Sequence, residues 1–169
     1  MLNLEERYGD VYQRPIGKWV KQCQSSQWQD VSFAYLLNMR SGNYSSAAYF
    51  ADEGSLEKLA YFNAKSNRDR FTFAYNHYAR KSQPGKTFVY QTSDTYLMSA
   101  GLNAYVNIRL VKDANLLKDV LQKHIFQLLG LSQITAVTLR TDDSDQQAYT
   151  GYGLFLNCDD LIRLSLFFE

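Results

Sequence analysis

The chain has 169 residues, of which 46% are hydrophobic and 21% are charged, and this composition is typical of a single globular domain with a real core. Its 18 basic and 17 acidic residues leave a net charge of +1, so electrostatics gives no reason to expect nucleic acid or an anionic membrane as a partner. No apolar run reaches the length of a membrane-spanning helix. We expect one domain over residues 1–169. The opening MLNLEERYGD has acids where a signal peptide needs an apolar stretch. The sequence does not decide the cellular compartment of the protein.

The residues that commonly bind metals and cofactors are few. The two histidines, His77 and His124, lie at no metal-ligand spacing, so the sequence predicts no metal site. No glycine-rich phosphate loop precedes a helix, and we expect no cofactor. The two cysteines, Cys23 and Cys158, could pair, but the sequence does not decide this.

The first predicted helix covers residues 31–42, VSFAYLLNMRSG. Ser32 is a good N-cap, and the apolar residues after it recur with helical spacing. We expect Gly42 to end the helix, because glycine adopts a left-handed conformation without steric cost.

The next predicted helix carries a Ser-x-x-Lys pattern. It covers residues 55–64, SLEKLAYFNA, with Leu56 and Leu59 expected to face inward. A lysine three positions after a serine could deprotonate it on the same helix face. The more natural interpretation is that Ser55 caps the helix and Lys58 lies on its solvated side.

The middle of the chain places a tyrosine between a turn and a helix. Residues 68–81 fit a helix or a strand, and we favour a helix. Pro84-Gly85 predicts a turn, since proline fixes φ and glycine accepts a positive one. A short β-like run then ends at Tyr90, and residues 93–108 follow as a helix.

The last third of the sequence combines two helices with a hairpin. The most strongly amphipathic segment is residues 115–130, which Asn115 caps, Gly130 ends and in which His124 is expected to face inward. Two apolar segments flank the polar stretch DDSDQQ and predict a β-hairpin. A final helix follows Asn157, which is placed to cap it. The sum is a mainly α fold with one small β-hairpin.

Tyr90 has two interpretations from the residues alone. An isolated phenol is a poor base at neutral pH, and it becomes a proton carrier only where nearby ammonium groups stabilise its charged form. An aromatic residue at the end of an apolar run is more often a core residue. Ser93 before Asp94 is likewise typical of a helix N-cap, and a place on a cleft wall is the less common alternative.

Four segments, in this order, resemble motifs of one family. The first is VSFAYLLNMRSG, which resembles Leu-Leu-x-Met-x-Ser-Gly, and the second is PGKTFVYQTSDTYLM, which resembles Pro-Gly-x-x-Phe-x-Tyr-Ser-Asn. The third is HIFQLLGL, similar to Ile-Phe-x-Pro-Leu-Gly-Met, and the fourth is GYGLFLNCDDLIRL, similar to Gly-Gly-Leu-x-Ser-Thr-x-x-Asp-Leu-x-Arg-Phe. The family is the serine hydrolases related to class C β-lactamases, D-alanyl-D-alanine carboxypeptidases and nylon-oligomer hydrolases. The resemblance covers residues 31–168.

This resemblance implies the helical region of a β-lactamase-like fold. It implies that Tyr90 is the catalytic tyrosine that relays protons, and that Thr92, Ser93 and Tyr152 lie on the wall of the substrate cleft. Thr92 stands where the family has Asn, and Tyr152 interrupts a run of small residues. The substrate would be a small molecule or a peptide with an amide, ester or β-lactam bond, and parents of this kind are often exported.

No credible counterpart of the family's nucleophilic Ser-x-x-Lys precedes Val31, and no closing strand follows Glu169. The pattern at Ser55 and Lys58 falls on the wrong side of the first motif. We therefore expect a fragment of the hydrolase that is inactive alone and that self-associates through an exposed domain interface. The alternative is a non-catalytic helical module that binds a protein or a glycan through a tyrosine-rich face. The chain has 13 tyrosines, whose apolar bodies and polar tips suit such a surface.

Overall fold

The computed structural model describes residues 11–48, 54–109 and 112–168. In these ranges the chain is mainly helical, as predicted, and forms no β-sheet. The α-helices are α1 (Phe33–Leu37), α2 (Lys58–Asn63), α3 (Asn67–His77), α4 (Thr92–Arg109) and α5 (Cys158–Phe167). A π-helix covers Leu116–Phe126, and 3-10 turns cover Ile16–Lys18, Lys21–Cys23 and Gln133–Val137.

Helix α4 is the central element, and it packs against α1, α3 and the π-helix. The predicted helix over residues 93–108 is confirmed, and it begins one residue earlier, at Thr92. The predicted helix over residues 68–81 is also confirmed, as α3. The main core beside α4 is aromatic and includes Trp28, Tyr61, Phe71, Phe73, Tyr78 and Tyr96.

Helix α1 begins where the sequence predicts but ends sooner. The Ser32 hydroxyl accepts a hydrogen bond from the backbone N–H of Tyr35 at 3.3 Å, which confirms the N-cap. The helix ends at Leu37, so the prediction that it continues to Gly42 was wrong. The chain reverses at Met39, whose φ of 52° is in the left-handed region.

The reversal at Met39 is a Schellman motif. The N–H of Met39 donates to the carbonyl of Leu36 at 3.0 Å, and the N–H of Arg40 donates to the carbonyl of Tyr35 at 2.7 Å. Glycine is the usual residue at this position, because a Cβ makes the left-handed conformation unfavourable by about 1 kcal/mol. No local sequence pattern predicts a left-handed residue at Met39.

Helix α2 presents the face opposite to the predicted one. Leu56 and Leu59 are exposed, whereas Lys58 and Tyr61 are each 1% exposed, so both predictions for this helix face were wrong. The Nζ of Lys58 donates to the hydroxyl of Tyr78 at 2.7 Å and lies 4.5 Å from the ring centre of Tyr61. Aromatic faces and a phenol oxygen therefore replace the water that the ammonium group loses.

The predicted helix over residues 115–130 forms as a π-helix. Asn115 caps it as predicted, with its side-chain oxygen accepting from the N–H of Lys118. The N–H of Gln127 donates to the carbonyl of Gln122, five residues back. This wider spacing changes which side chains face inward, and His124 is exposed, contrary to the prediction. The π-helix ends at Phe126, so the prediction that Gly130 ends it was wrong; Gly130, with a φ of 65°, lies in the turn that follows.

The predicted hairpin is present only at its centre. Arg140 and Ala148 form a single antiparallel bridge, with the N–H of Thr141 donating to the carbonyl of Gln147 at 2.9 Å. The segment expected to be the first strand instead begins with the 3-10 turn Gln133–Val137. The apolar residues of that turn are partly exposed, and no neighbouring strand covers them in the described residues.

Candidate functional site

Tyr90 lies in a loop that leads into α4. The turn at Pro84-Gly85 is confirmed, with a φ of 86° at Gly85. The residues between this turn and α4 form no strand. Instead, the N–H of Val89 donates to the carbonyl of Met39 in the reversal after α1. The side chain of Tyr90 is partly exposed, so a group from outside these residues can reach it.

Thr92 and Ser93 form the first turn of α4 and are buried. Ser93 has no exposed surface, and its hydroxyl lies 3.4 Å from the Oε1 of Gln91. It does not cap α4, since the helix already begins at Thr92. Thr92 is 8% exposed. The role of both residues on the cleft wall stays a prediction. Thr92 contacts the segment that contains Tyr152, another predicted site residue.

That segment is the loop around Gly151, which lies directly on the first turn of α4. A Cβ placed on Gly151 would lie 2.3 Å from the Cγ2 of Thr92 and 2.8 Å from the Oγ1 of Thr95. The hydroxyl of Thr150 donates to the carbonyl of Thr95 at 2.8 Å. The fold therefore brings Thr92 and the segment containing Tyr152 together, although almost 60 residues separate them in the sequence.

An open groove of about 340 Å³ begins at this loop. The π-helix forms one wall, with Leu117, Leu121 and Phe126, and the segment containing Tyr149 and Tyr152 forms the other. No acidic or basic side chain is among the described residues that line it. Such a groove suits an uncharged, mainly apolar group.

Behind the tyrosine wall lies Arg70, which the sequence analysis missed. Its side chain has no exposed surface, and its guanidinium carbon lies 3.6 Å from the ring centre of Tyr149. One Nη donates to the hydroxyl of Tyr152 at 2.9 Å, and the Nε donates to the carbonyl of Ala64 at 3.2 Å. Arg70 therefore fixes the wall of the groove from inside. Arginine is rarely fully buried, so the sequence favoured an exposed position.

Two phenols near the start of α4, Tyr90 and Tyr96, differ in chemistry. Burial raises the pKa of Tyr96 above its ordinary value, and its hydroxyl donates to the Oδ1 of Asn67 at 2.7 Å. A phenol that is harder to ionise and already donates a hydrogen bond is a poor proton carrier. Tyr96 is therefore a structural residue, and the partly exposed Tyr90 is the better candidate.

The metal-binding residue types and the two cysteines lie apart in the described part of the chain. The described residues contain no group of three or more His, Cys, Asp or Glu side chains that could hold a metal ion. Cys23 is buried and Cys158 is exposed, and both are free thiols. Within the same ranges, none of the helices combines the length and the apolar character that crossing a bilayer requires.

A comparison of the chain with protein-family models finds no match, and a comparison with curated proteins finds none either. The resemblance to serine hydrolases therefore rests on the four sequence motifs and stays a prediction.

Proposed function

We propose that this chain is the helical region of a serine hydrolase related to class C β-lactamases and that it contributes Tyr90 to the active site. The observation that carries the proposal is the contact between the loop around Gly151 and the first turn of α4. Two of the four motifs contain these segments, and they meet two residues after Tyr90. A partly exposed phenol beside this junction is accessible to a second domain.

The chemistry of such an enzyme is acyl transfer. A serine oxygen, supplied from outside this sequence, attacks the carbonyl carbon of an amide, ester or β-lactam and gives up its proton. Tyr90, with its charge supported by an external lysine, accepts that proton and returns it to the leaving nitrogen or oxygen as the bond to carbon breaks. Water then attacks the acyl-enzyme and releases the acid and the free serine. Thr92 and Tyr152 would hold the substrate at the cleft wall.

The first test of this proposal is active-site labelling with a fluorescent penicillin and with a fluorophosphonate. We expect no labelling of the chain as printed above, and labelling of one serine in the protein that includes the flanking coding sequence. A labelled serine within residues 1–169 would contradict the assignment. So would flanking sequence that encodes no Ser-x-x-Lys.

The second test is Tyr90→Phe in the protein with its flanking sequence. The change removes the ionisable oxygen and keeps the ring, so turnover of an ester substrate should fall about 100-fold or more. Tyr44→Phe is the matched control, because Tyr44 is also partly exposed, and turnover should not change. Equal activity of wild type and Tyr90→Phe would exclude a proton-relay role.

The groove favours a second candidate, a binding module without catalysis. Its walls contain tyrosines and aliphatic residues but no charge, which suits a neutral ligand. In this case the chain as printed should bind the neutral dye N-phenyl-1-naphthylamine, and Leu121→Lys, inside the groove, should weaken the binding about tenfold. Leu56→Lys, on an exposed leucine elsewhere, should leave it unchanged. Unequal effects of these two variants, together with no labelled serine in the extended protein, would favour the module over the hydrolase.

A further inference from the structure

Helix α5 is attached to the rest of the chain by polar contacts. Asp160 is 1% exposed, and its carboxylate accepts hydrogen bonds from the N–H of Ser132 at 2.7 Å and from its hydroxyl at 2.5 Å. Asn157 and Asp160 form a reciprocal capping box. Arg163 donates to the carbonyl of Leu129 at 3.1 Å. Burial raises the pKa of Asp160, but hydrogen bonds from Ser132 and Asn157 outweigh it, and the pKa lies below its usual range. The carboxylate is therefore charged at neutral pH.

The apolar side chains of the same helix face solvent. We define the α5 face as the four large apolar residues at and just after α5 that are more than half-exposed and lie on the side of the helix away from Asp160. They are Leu161 (53% exposed), Ile162 (59%), Leu166 (65%) and Phe168 (79%). A helix in water normally turns such residues inward. Helix α5 instead leaves them in solvent and buries Asp160, which indicates that something else covers this face.

The size of the α5 face approaches that of half a protein–protein interface. At about 150 Å² for each fully exposed large side chain, the four residues present roughly 380 Å² of apolar surface. A standard interface buries about 800 Å² per partner, of which a little more than half, about 450 Å², is apolar. The face therefore supplies most of the apolar area that a stable partner needs.

We propose that the α5 face joins two copies of this chain in a homodimer, with α5 packed on α5 across a twofold axis. A twofold interface uses the same patch on both copies, so one self-complementary apolar face is sufficient. None of the four residues is charged, which disfavours a strongly charged occupant such as nucleic acid. This proposal does not depend on the proposed function.

Sedimentation velocity of the chain, from about 5 to about 200 µM, tests the proposal. The wild type should form a discrete dimer within this range. The double variant Ile162→Lys/Leu166→Lys should raise the dissociation constant at least tenfold. Lysine is a good helix former, and both positions are exposed, so the variant should fold, as far-UV circular dichroism will show.

The matched control is Leu56→Lys, which places the same charge on a leucine that is 81% exposed and lies far from α5 in the sequence. It should leave the dimer unchanged. A wild type that stays monomeric at the highest concentration would overturn the proposal. So would polydisperse aggregates, or a dimer that Leu56→Lys dissociates as strongly as the α5 variant does. Labelling by a fluorophosphonate has no bearing on any of these outcomes, so the two proposals fail separately.

Discussion

Residues 11–109 and residues 112–168 place their large side chains very differently. The largest fully buried side chains all lie in the first region, and they include Trp28, Lys58 and Arg70. Of the 17 exposed large apolar residues in the described ranges, 11 belong to the second region. The first region therefore contains most of the main core, to which the second contributes Tyr149. The second region has a smaller cluster around Leu117, Phe126 and Ala148 and leaves more apolar surface uncovered.

Residue type alone does not decide burial in this chain. In the first region, ring faces and phenol oxygens surround Lys58 and Arg70, and these contacts replace part of their hydration. In the second region, the polar network at Asp160 anchors α5 with its apolar residues outward. The uncovered face is the surface at which we propose that a second copy binds.

The largest expected difference between the regions concerns leucine. Leu36→Ala removes a fully buried side chain and should lower the free energy of unfolding by about 2–5 kcal/mol, because a cavity remains. Leu166→Ala, at a side chain that is 65% exposed, should change it by less than about 0.5 kcal/mol at protein concentrations that keep the chain monomeric. Urea unfolding measures both. Similar losses at the two positions would break the comparison.

Arg70 links the regions, since it belongs to α3 and holds Tyr152. Arg70→Met should cost about 3 kcal/mol, because the hydroxyl of Tyr152 and the carbonyl of Ala64 lose their buried donor. Arg68→Met, on the exposed side of the same helix, is the control and should cost less than about 0.5 kcal/mol. If both variants unfold at the same urea concentration, the guanidinium is not a structural link.

The buried thiol of Cys23 makes the free energy of unfolding depend on pH, and the exposed Cys158 serves as its control. Burial raises the pKa of Cys23 from about 9 to about 11, and the hydrogen bond with Tyr75 offsets this only in part. The folded state therefore favours the neutral thiol. Its contribution is complete below pH 9 and decreases as the pH rises toward 11, by at most about 2.7 kcal/mol.

The measurement is the free energy of unfolding of wild type and Cys23→Ala between pH 8 and 11. The wild type should lose more stability than the variant over this interval, by about 2 kcal/mol. Cys158→Ala should follow the wild type, because Cys158 is exposed. Parallel curves for wild type and Cys23→Ala would show that the thiol of Cys23 is not protected by the core.

The smallest expected effect is a gain in stability at the end of α1. Met39→Gly should stabilise the chain by about 1 kcal/mol, because glycine adopts the left-handed φ of 52° without a Cβ clash. Met39→Ala keeps the Cβ and should give no such gain. Thermal unfolding of the three proteins checks this. A glycine variant no more stable than the alanine variant would mean that the methionine side chain compensates for the strain.

The features that the sequence predicted correctly depend on near neighbours. Ser32, Asn115 and Asn157 cap their helices as expected, since a cap needs only its own side chain and an N–H three residues on. The failures depend on distant residues. His124 faces solvent because the segment forms with π-helical spacing, and Lys58 is buried because Tyr78, on a later segment, accepts its hydrogen bond.

In the candidate site, too, local features were predictable from the sequence and distant contacts were not. The motif around Tyr90 is visible in the sequence, because it is continuous and includes a turn with its own local signal at Pro84-Gly85. The arrangement of Gly151 against Thr92, and the position of Arg70 behind Tyr152, are not visible there. They result from packing between residues that are far apart in the chain.

By itself, therefore, the sequence determined the mainly α class and most helix starts, since short-range spacing and capping decide these, whereas the role of Tyr90 stays a prediction from the resemblance. The tertiary structure alone decided which cations are buried, where the groove opens and that α5 turns its apolar residues outward. The physical reason is that burial is settled by the whole set of neighbours that the fold assembles, and a residue's own polarity is only one contribution to that balance.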